Sequence, residues 1–143
     1  MDSRVVLAEV RSGPIDPAAV AALVAQPSAG ASVLFVGAVR DHDPHADGEV
    51  VGLDYTCHPS APQRIGEIVA GVLAAAGADV RVATVHRIGQ LGVGEVAFVV
   101  AVSSAHRRQA FEVCEQVVEQ VKQHLPIWKQ QFEADGSYRW SGL

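Results

Sequence analysis

The segment Ser104-Ala105-His106-Arg107 stands where a long helical pattern begins. Unpaired backbone N–H groups and the macrodipole favour anions at such a place, so Ser104, His106 and Arg107 read as an anion-binding helix start. Arg107 shares a helix side with the apolar residues Ala110, Cys114, Val117, Val121 and Leu125, flanked by Phe111 and Val118. A guanidinium on that side either meets an anion or snorkels past the helix end into water; both readings stand. Lys122 lies near the other end, on the edge of the stripe, where a lysine also complements a helix C-terminus. Lys129 follows Pro126 and Trp128 and by itself reads as a surface lysine. Arg40 closes an apolar strand pattern and opens a polar loop; this is a frequent site position, or else a solvated strand end paired with Asp41 or Asp43.

Two other chemistries have weaker support. His42 and His45, with Asp41, Asp43 and Asp47, offer ligand types for a divalent ion, but their spacing matches no closed ligand set. Cys57 and His58 are neighbours on a strand pattern and point to opposite faces, a poor arrangement for a nucleophile and its base.

The elements that must position these groups follow from pattern and punctuation. Strands are expected at Arg4–Val10, Ala31–Arg40 (a buried one, from its Val, Leu and Phe content), Val50–Cys57, Val80–Ile88 and Glu95–Val102, the last two as a hairpin around a Gly89–Gly94 turn. Asp16-Pro17 opens a short helix to about Ala25. Ser60 is expected to cap a helix to about Ala76, closed by Gly77. Ser103-Ser104 is expected to cap the longest helix, Ala105–Leu125, which Pro126 ends. A segment at Ile127–Phe132, an Asp135-Gly136 turn and a last strand at Tyr138–Trp140 complete a β-α-β-β-α-β-β-α-β order. Hairpins mixed with helices indicate α+β rather than a doubly wound sheet.

Composition bounds the partners. The 143 residues make one domain, 1–143, with 49% hydrophobic and 19% charged residues, as in a globular core. Eleven Lys and Arg against 16 Asp and Glu leave a net charge of −5, which argues against a nucleic-acid partner. The two cysteines, Cys57 and Cys114, have neither metal-type nor disulfide spacing. The N-terminus lacks the apolar region of a signal peptide, and no apolar run reaches the roughly 20 residues of a membrane helix. A cytoplasmic protein with no membrane partner is expected.

Four motifs, in order, then carry a resemblance. Phe35-Val36-Gly37-Ala38-Val39-Arg40 resembles the strand-and-arginine motif of the molybdopterin synthase large, catalytic subunits. Val85-His86-Arg87-Ile88-Gly89-Gln90-Leu91 resembles their V-x-H-R-I-G-x-L segment. Val102-Ser103-Ser104-Ala105-His106-Arg107 is similar to their T/S-S-A-H-R motif, with Phe111-Glu112 at the family's spacing. Lys122 and the run Pro126-Ile127-Trp128-Lys129 are similar to K-x-x-x-P-[IF]-W-K. The likeness runs from about Ser32 to Trp140.

The resemblance implies an α/β-hammerhead with an additional antiparallel β-sheet. It implies a homodimer with a small ubiquitin-like sulfur carrier on each end, a heterotetramer in all. The carrier's C-terminal Gly-Gly thiocarboxylate would deliver sulfur to cyclic pyranopterin monophosphate, forming the dithiolene of molybdopterin, without metal or other cofactor. Arg40, His106 and Arg107 would bind the pterin phosphate. Lys122 would be the catalytic lysine and Lys129 a second one in the pocket. The sequence departs from the pattern at Ala38, where the family often has lysine, and at Gln130-Gln131. Many relatives also extend past the position of Leu143 and add a basic pocket residue. Ala38 and the shorter tail motivate an alternative, a non-catalytic module that only docks the carrier. A metal-dependent hydrolase using His42 and His45 is a third.

His106 and Lys122 are sixteen residues apart, about 24 Å along a straight helix. A small pterin cannot touch both within one subunit. They either serve different sites or meet across a twofold, with Lys122 from one subunit and His106 and Arg107 from its mate; the second is expected.

Overall fold

The computed structural model describes residues 2–43 and 48–143. The elements run β1 (Val5–Arg11), α1 (Pro17–Leu23), β2 (Ala31–Ala38), β3 (Val50–Cys57), α2 (Ala61–Leu73), β4 (Arg81–Arg87), β5 (Gly89–Gly92), β6 (Val96–Ser104), α3 (Arg107–His124), β7 (Ile127–Glu133) and β8 (Tyr138–Gly142).

They form two four-stranded sheets, ordered β1-β4-β6-β2 and β5-β3-β7-β8. In the first, β1 lies parallel to β4 and the other pairs are antiparallel. The second is antiparallel throughout, the additional sheet that the resemblance implies. The chain is α+β.

Burial explains the strand patterns. The central strands β4 and β6 are covered on both faces and read as near-continuous apolar runs. Val85, Val99 and Ala101 turn toward α1, where Ile15, Val20 and Val24 close a small core. Val82, Val100 and Val102 turn the other way, into a larger core with α2, α3 and the inner face of the second sheet. β2 is an edge strand and alternates strictly, leaving Leu34 and Val36 exposed.

Several boundaries differ from expectation for identifiable reasons. Ser103 and Ser104 do not cap α3; they are the buried last residues of β6. The Ser103 hydroxyl donates to the Val24 carbonyl at 2.6 Å, tying β6 to the end of α1. His106 occupies the N-cap position and makes no side-chain capping bond. Ser60 does not cap α2 either; its backbone is already helical and its hydroxyl lies 2.8 Å from His58 Nδ1. That helix stops at Leu73, ahead of Gly77, whose N–H donates to the Gln109 side chain at 2.8 Å. Asp16 does cap α1, accepting from the Ala18 N–H at 3.0 Å.

The expected Gly89–Gly94 turn is mostly strand. Gly89, at φ +95°, turns the chain out of the first sheet after Arg87, and β5 then pairs with β3 in the second. Phe111 is 60% exposed, and Val113 joins the buried face of α3 in its place, one turn from Ala110 and Val117.

Candidate functional site

The register of the second sheet builds the site. Lys129 pairs with Tyr55 on β3 and with Ser141 on β8, while Gln131 pairs with Leu53 and Arg139. Side chains at every second position share a face, so Lys129, Gln131, Arg139 and Ser141 lie together on the side where Tyr55 and Leu53 enter the core. The last turn of α3 brings Lys122 to this face. Arg40, two residues beyond the end of β2, lines the same cleft.

Arg40, Lys122, Lys129 and Arg139 line one open cleft of about 640 Å³ with Asp43, Gln131 and the chain end 140–143. It shares Lys122, Lys129 and Leu143 with a smaller recess of about 70 Å³, which Gly37, Ala38, Tyr55, His86, Ala97 and Phe98 also line. The cleft is cationic, and the rest of the recess is lined by small, aromatic and neutral groups.

The surroundings of the cleft act on Lys129. Burial pushes the Lys129 ammonium below its ordinary pKa, and the charges of Lys122 and Arg40 push the same way, while Asp43 opposes them. The Asp43 carboxylate lies 3.8 Å from Lys129 Nζ and 3.9 Å from Arg40 Nη2. The Arg40–Asp43 pairing is one of those expected from sequence; Asp41 instead faces His42, at 3.1 Å.

His86 forms the inner wall. Its ring makes edge contacts with Tyr55 and tilted contacts with Phe98, both at centroid distances of 5.2 Å. Burial holds its pKa down to about 4, with Lys122 a smaller contributor, against the opposing hydrogen bond to the backbone. The ring is therefore neutral at pH 7. Nδ1–H donates to the Arg87 carbonyl at 2.8 Å, which leaves Nε2 as the unprotonated nitrogen. Burial likewise pushes the Tyr55 hydroxyl up to about 12.

His106 and Arg107 are not in this cleft. They stand exposed at the far end of α3, about 24 Å along the helix axis from Lys122. A carboxylate is already beside that helix start: Asp79 accepts from the Ala105 N–H at 2.7 Å and from Gln109 Nε2 at 3.3 Å. Within one chain, Arg107 takes the solvated course rather than a buried anion contact.

Arg139, Tyr55 and His86 were not assigned site roles from sequence. Arg139 was legible only through the β7–β8 hairpin register, since the Asp135-Gly136 turn sets it opposite Gln131. His86 lay inside a recognised motif; alternation along β4 sets it on the large-core face with Val82, where it shares a recess with the lysines. Of the metal candidates, His42 is exposed, and His45 and Asp47 lie outside the described residues. Among the described residues, no three metal-ligating side chains converge. Cys57 is half-buried at the end of β3 and His58 faces Ser60.

The model of the MoaE protein family matches residues 10–124. The chain belongs to this family. Relatives include molybdopterin synthase catalytic subunit 1 of Mycobacterium tuberculosis, 37% identical over 90% of this chain and 86% of that protein. The molybdopterin synthase catalytic subunit of Bacillus subtilis is 38% identical over 94% and 83% of the two chains. The family is thus one of catalytic subunits in molybdenum cofactor biosynthesis. Among solved structures, molybdopterin synthase from Staphylococcus aureus superposes with a TM-score of 0.85, at 29% identity over 95% of this chain and 97% of that one. The complex of subunits 1 and 2 of the molybdopterin-converting factor from Helicobacter pylori shares the fold, with a TM-score of 0.72 at 19% identity over 97% and 90%. No helix among the described residues is long and apolar enough to cross a membrane.

Proposed function

We propose that this chain transfers sulfur, as the catalytic subunit of a molybdopterin synthase, from the C-terminal thiocarboxylate of a small ubiquitin-like carrier to cyclic pyranopterin monophosphate. The observation that supports this is the convergence of Arg40, Lys122, Lys129 and Arg139 on one cleft, which shares both lysines with a smaller recess. A phosphate ester and a thiocarboxylate are both anions, and such a cluster favours both. The open cleft suits the pterin and its phosphate. The narrow recess suits an unbranched glycine tail, which has no side chains to accommodate.

Lys122 and Lys129 border both spaces, so they stand where tail and pterin meet. A lysine there polarises the thiocarboxylate carbonyl and stabilises the negative charge that develops during transfer. Lys129, already pushed toward the neutral amine, is suited to moving a proton. Arg40 takes the phosphate, with His106 and Arg107 contributed by the twofold mate, since the length of α3 keeps them out of their own subunit's cleft. The working assembly is a homodimer carrying one carrier at each end.

A turnover assay with thiocarboxylated carrier and the cyclic precursor tests this. Molybdopterin should form with the unsubstituted chain, and Lys122→Ala should stop conversion while carrier binding persists. Carrier binding without any conversion by the unsubstituted chain would instead support the docking-module reading.

A further inference from the structure

A carboxylate inside a cationic cleft is either a structural partner or a competitor for the ligand's place. Asp43 is the one acidic residue lining the cleft among the described residues. Its side chain is only 7% exposed, and a single oxygen, Oδ2, faces both Lys129 Nζ at 3.8 Å and Arg40 Nη2 at 3.9 Å. Those separations are at the outer edge of an ion pair. They exceed the roughly 2.7–2.9 Å of a charge-assisted hydrogen bond. The carboxylate thus lies between two cations without closing a short contact to either. A tetrahedral phosphate brings several oxygens and can approach both cations closely. The Arg40 side chain, 59% exposed, is free to swing toward it.

We propose that Asp43 is a resident counter-anion: it fills the anion subsite between Arg40 and Lys129 and is displaced when a phosphate-bearing ligand binds. Its charge sets how tightly the cleft holds phosphate esters. This rests on reading the cleft as a phosphate site. In the unliganded protein Asp43 offsets the mutual repulsion of Lys129, Lys122 and Arg40, and on binding the ligand takes over that task. Asp43 acts on affinity alone and takes no part in bond making.

The test is calorimetric titration of inorganic phosphate at low ionic strength. Asp43→Asn keeps the shape and removes the charge, and should bind phosphate roughly tenfold more tightly, the factor equivalent to about one pKa unit of like-charge interaction. Asp43→Glu keeps the charge and should stay near the unsubstituted protein. In a Lys129→Ala background the gain from Asp43→Asn should shrink, because the two residues share one subsite. Unchanged or weaker binding by Asp43→Asn overturns the proposal, as does the absence of phosphate binding in every variant. Should Asp43→Asn fold poorly, a crystal structure of the unsubstituted protein soaked in phosphate decides. Asp43 should then lie beyond ion-pair distance of Lys129, and an unmoved carboxylate overturns the idea. Tighter phosphate binding by Asp43→Asn without molybdopterin formation by the unsubstituted chain would leave Asp43's role standing and remove the sulfur-transfer reading.

Discussion

The two ends of α3 carry similar residues in different settings. At the C-terminal end, Lys122 joins Lys129, Arg40 and Arg139 around one cleft, drawn from four separate elements and loops. At the N-terminal end, His106 and Arg107 are exposed, and the backbone beside them is already bonded to Asp79. Where the cations converge, burial and then the neighbouring charges act on Lys129; cations that diverge into water do not make a site unaided. The first end is a pocket in one chain, and the second becomes part of a site only if another subunit brings a cleft to it.

The sharpest way to break this contrast is kinetic. Lys122→Ala should lower kcat by about a thousandfold or more, the scale of losing a charge-stabilising group in a buried site. Arg107→Ala should cost roughly a hundredfold in kcat/KM if its end reaches the mate's cleft, appearing as phosphate affinity as well as rate. Mixing the two inactive variants should then restore part of the activity, because a mixed dimer holds one intact site. No recovery on mixing would mean that the two ends never share a site.

Stability measurements sharpen the same comparison. The recess contains a buried neutral histidine whose pKa is about 4 folded against an ordinary 6.5. The unfolded chain binds that proton first, so stability is full above about pH 6.5 and falls as the pH drops toward 4. The total loss is up to about 3 kcal/mol. Denaturant unfolding between pH 7 and 4 reads this slope, and a stable neutral variant such as His86→Gln should flatten it. At the other end, Ser103→Ala should cost about 1–2 kcal/mol through the lost bond to Val24 while leaving phosphate binding in the cleft unchanged. Phe111→Ser, on the exposed face of α3, should change monomer stability by no more than about 0.5 kcal/mol.

Local chemistry made much of the fold legible. Asp16-Pro17 started α1 where expected, and β4 and β6 pair as the expected hairpin; β2, whose Val, Leu and Phe content reads as a buried strand, is instead half-exposed, because at the sheet edge only one of its faces meets the core. The errors came where a tertiary partner outbid a local preference. Ser103 and Ser104 are good caps, yet the sheet holds them as strand because α1 offers Ser103 a buried acceptor. Gly89-Gln90-Leu91-Gly92 is punctuated like a turn, yet β3 offers it a ladder. Phe111 suits a core in kind, but its angle around α3 faces it outward.

The candidate site divides in the same way. Residue type and motif order in the sequence alone singled out Arg40, Lys122, Lys129, His106 and Arg107, and the rise of a helix separated the last two from Lys122. Chain-distant geometry decided the rest. Which cations share a cleft depends on the β3–β7–β8 register, and that register also recruits Arg139. The packing of the second sheet and α3 against β4 sets His86 in one recess with the lysines. The loop after Arg40 delivers Asp43 between two positive charges. Electrostatic work depends on separations of a few ångströms, and residues up to a hundred positions apart acquire such separations only when the chain is folded.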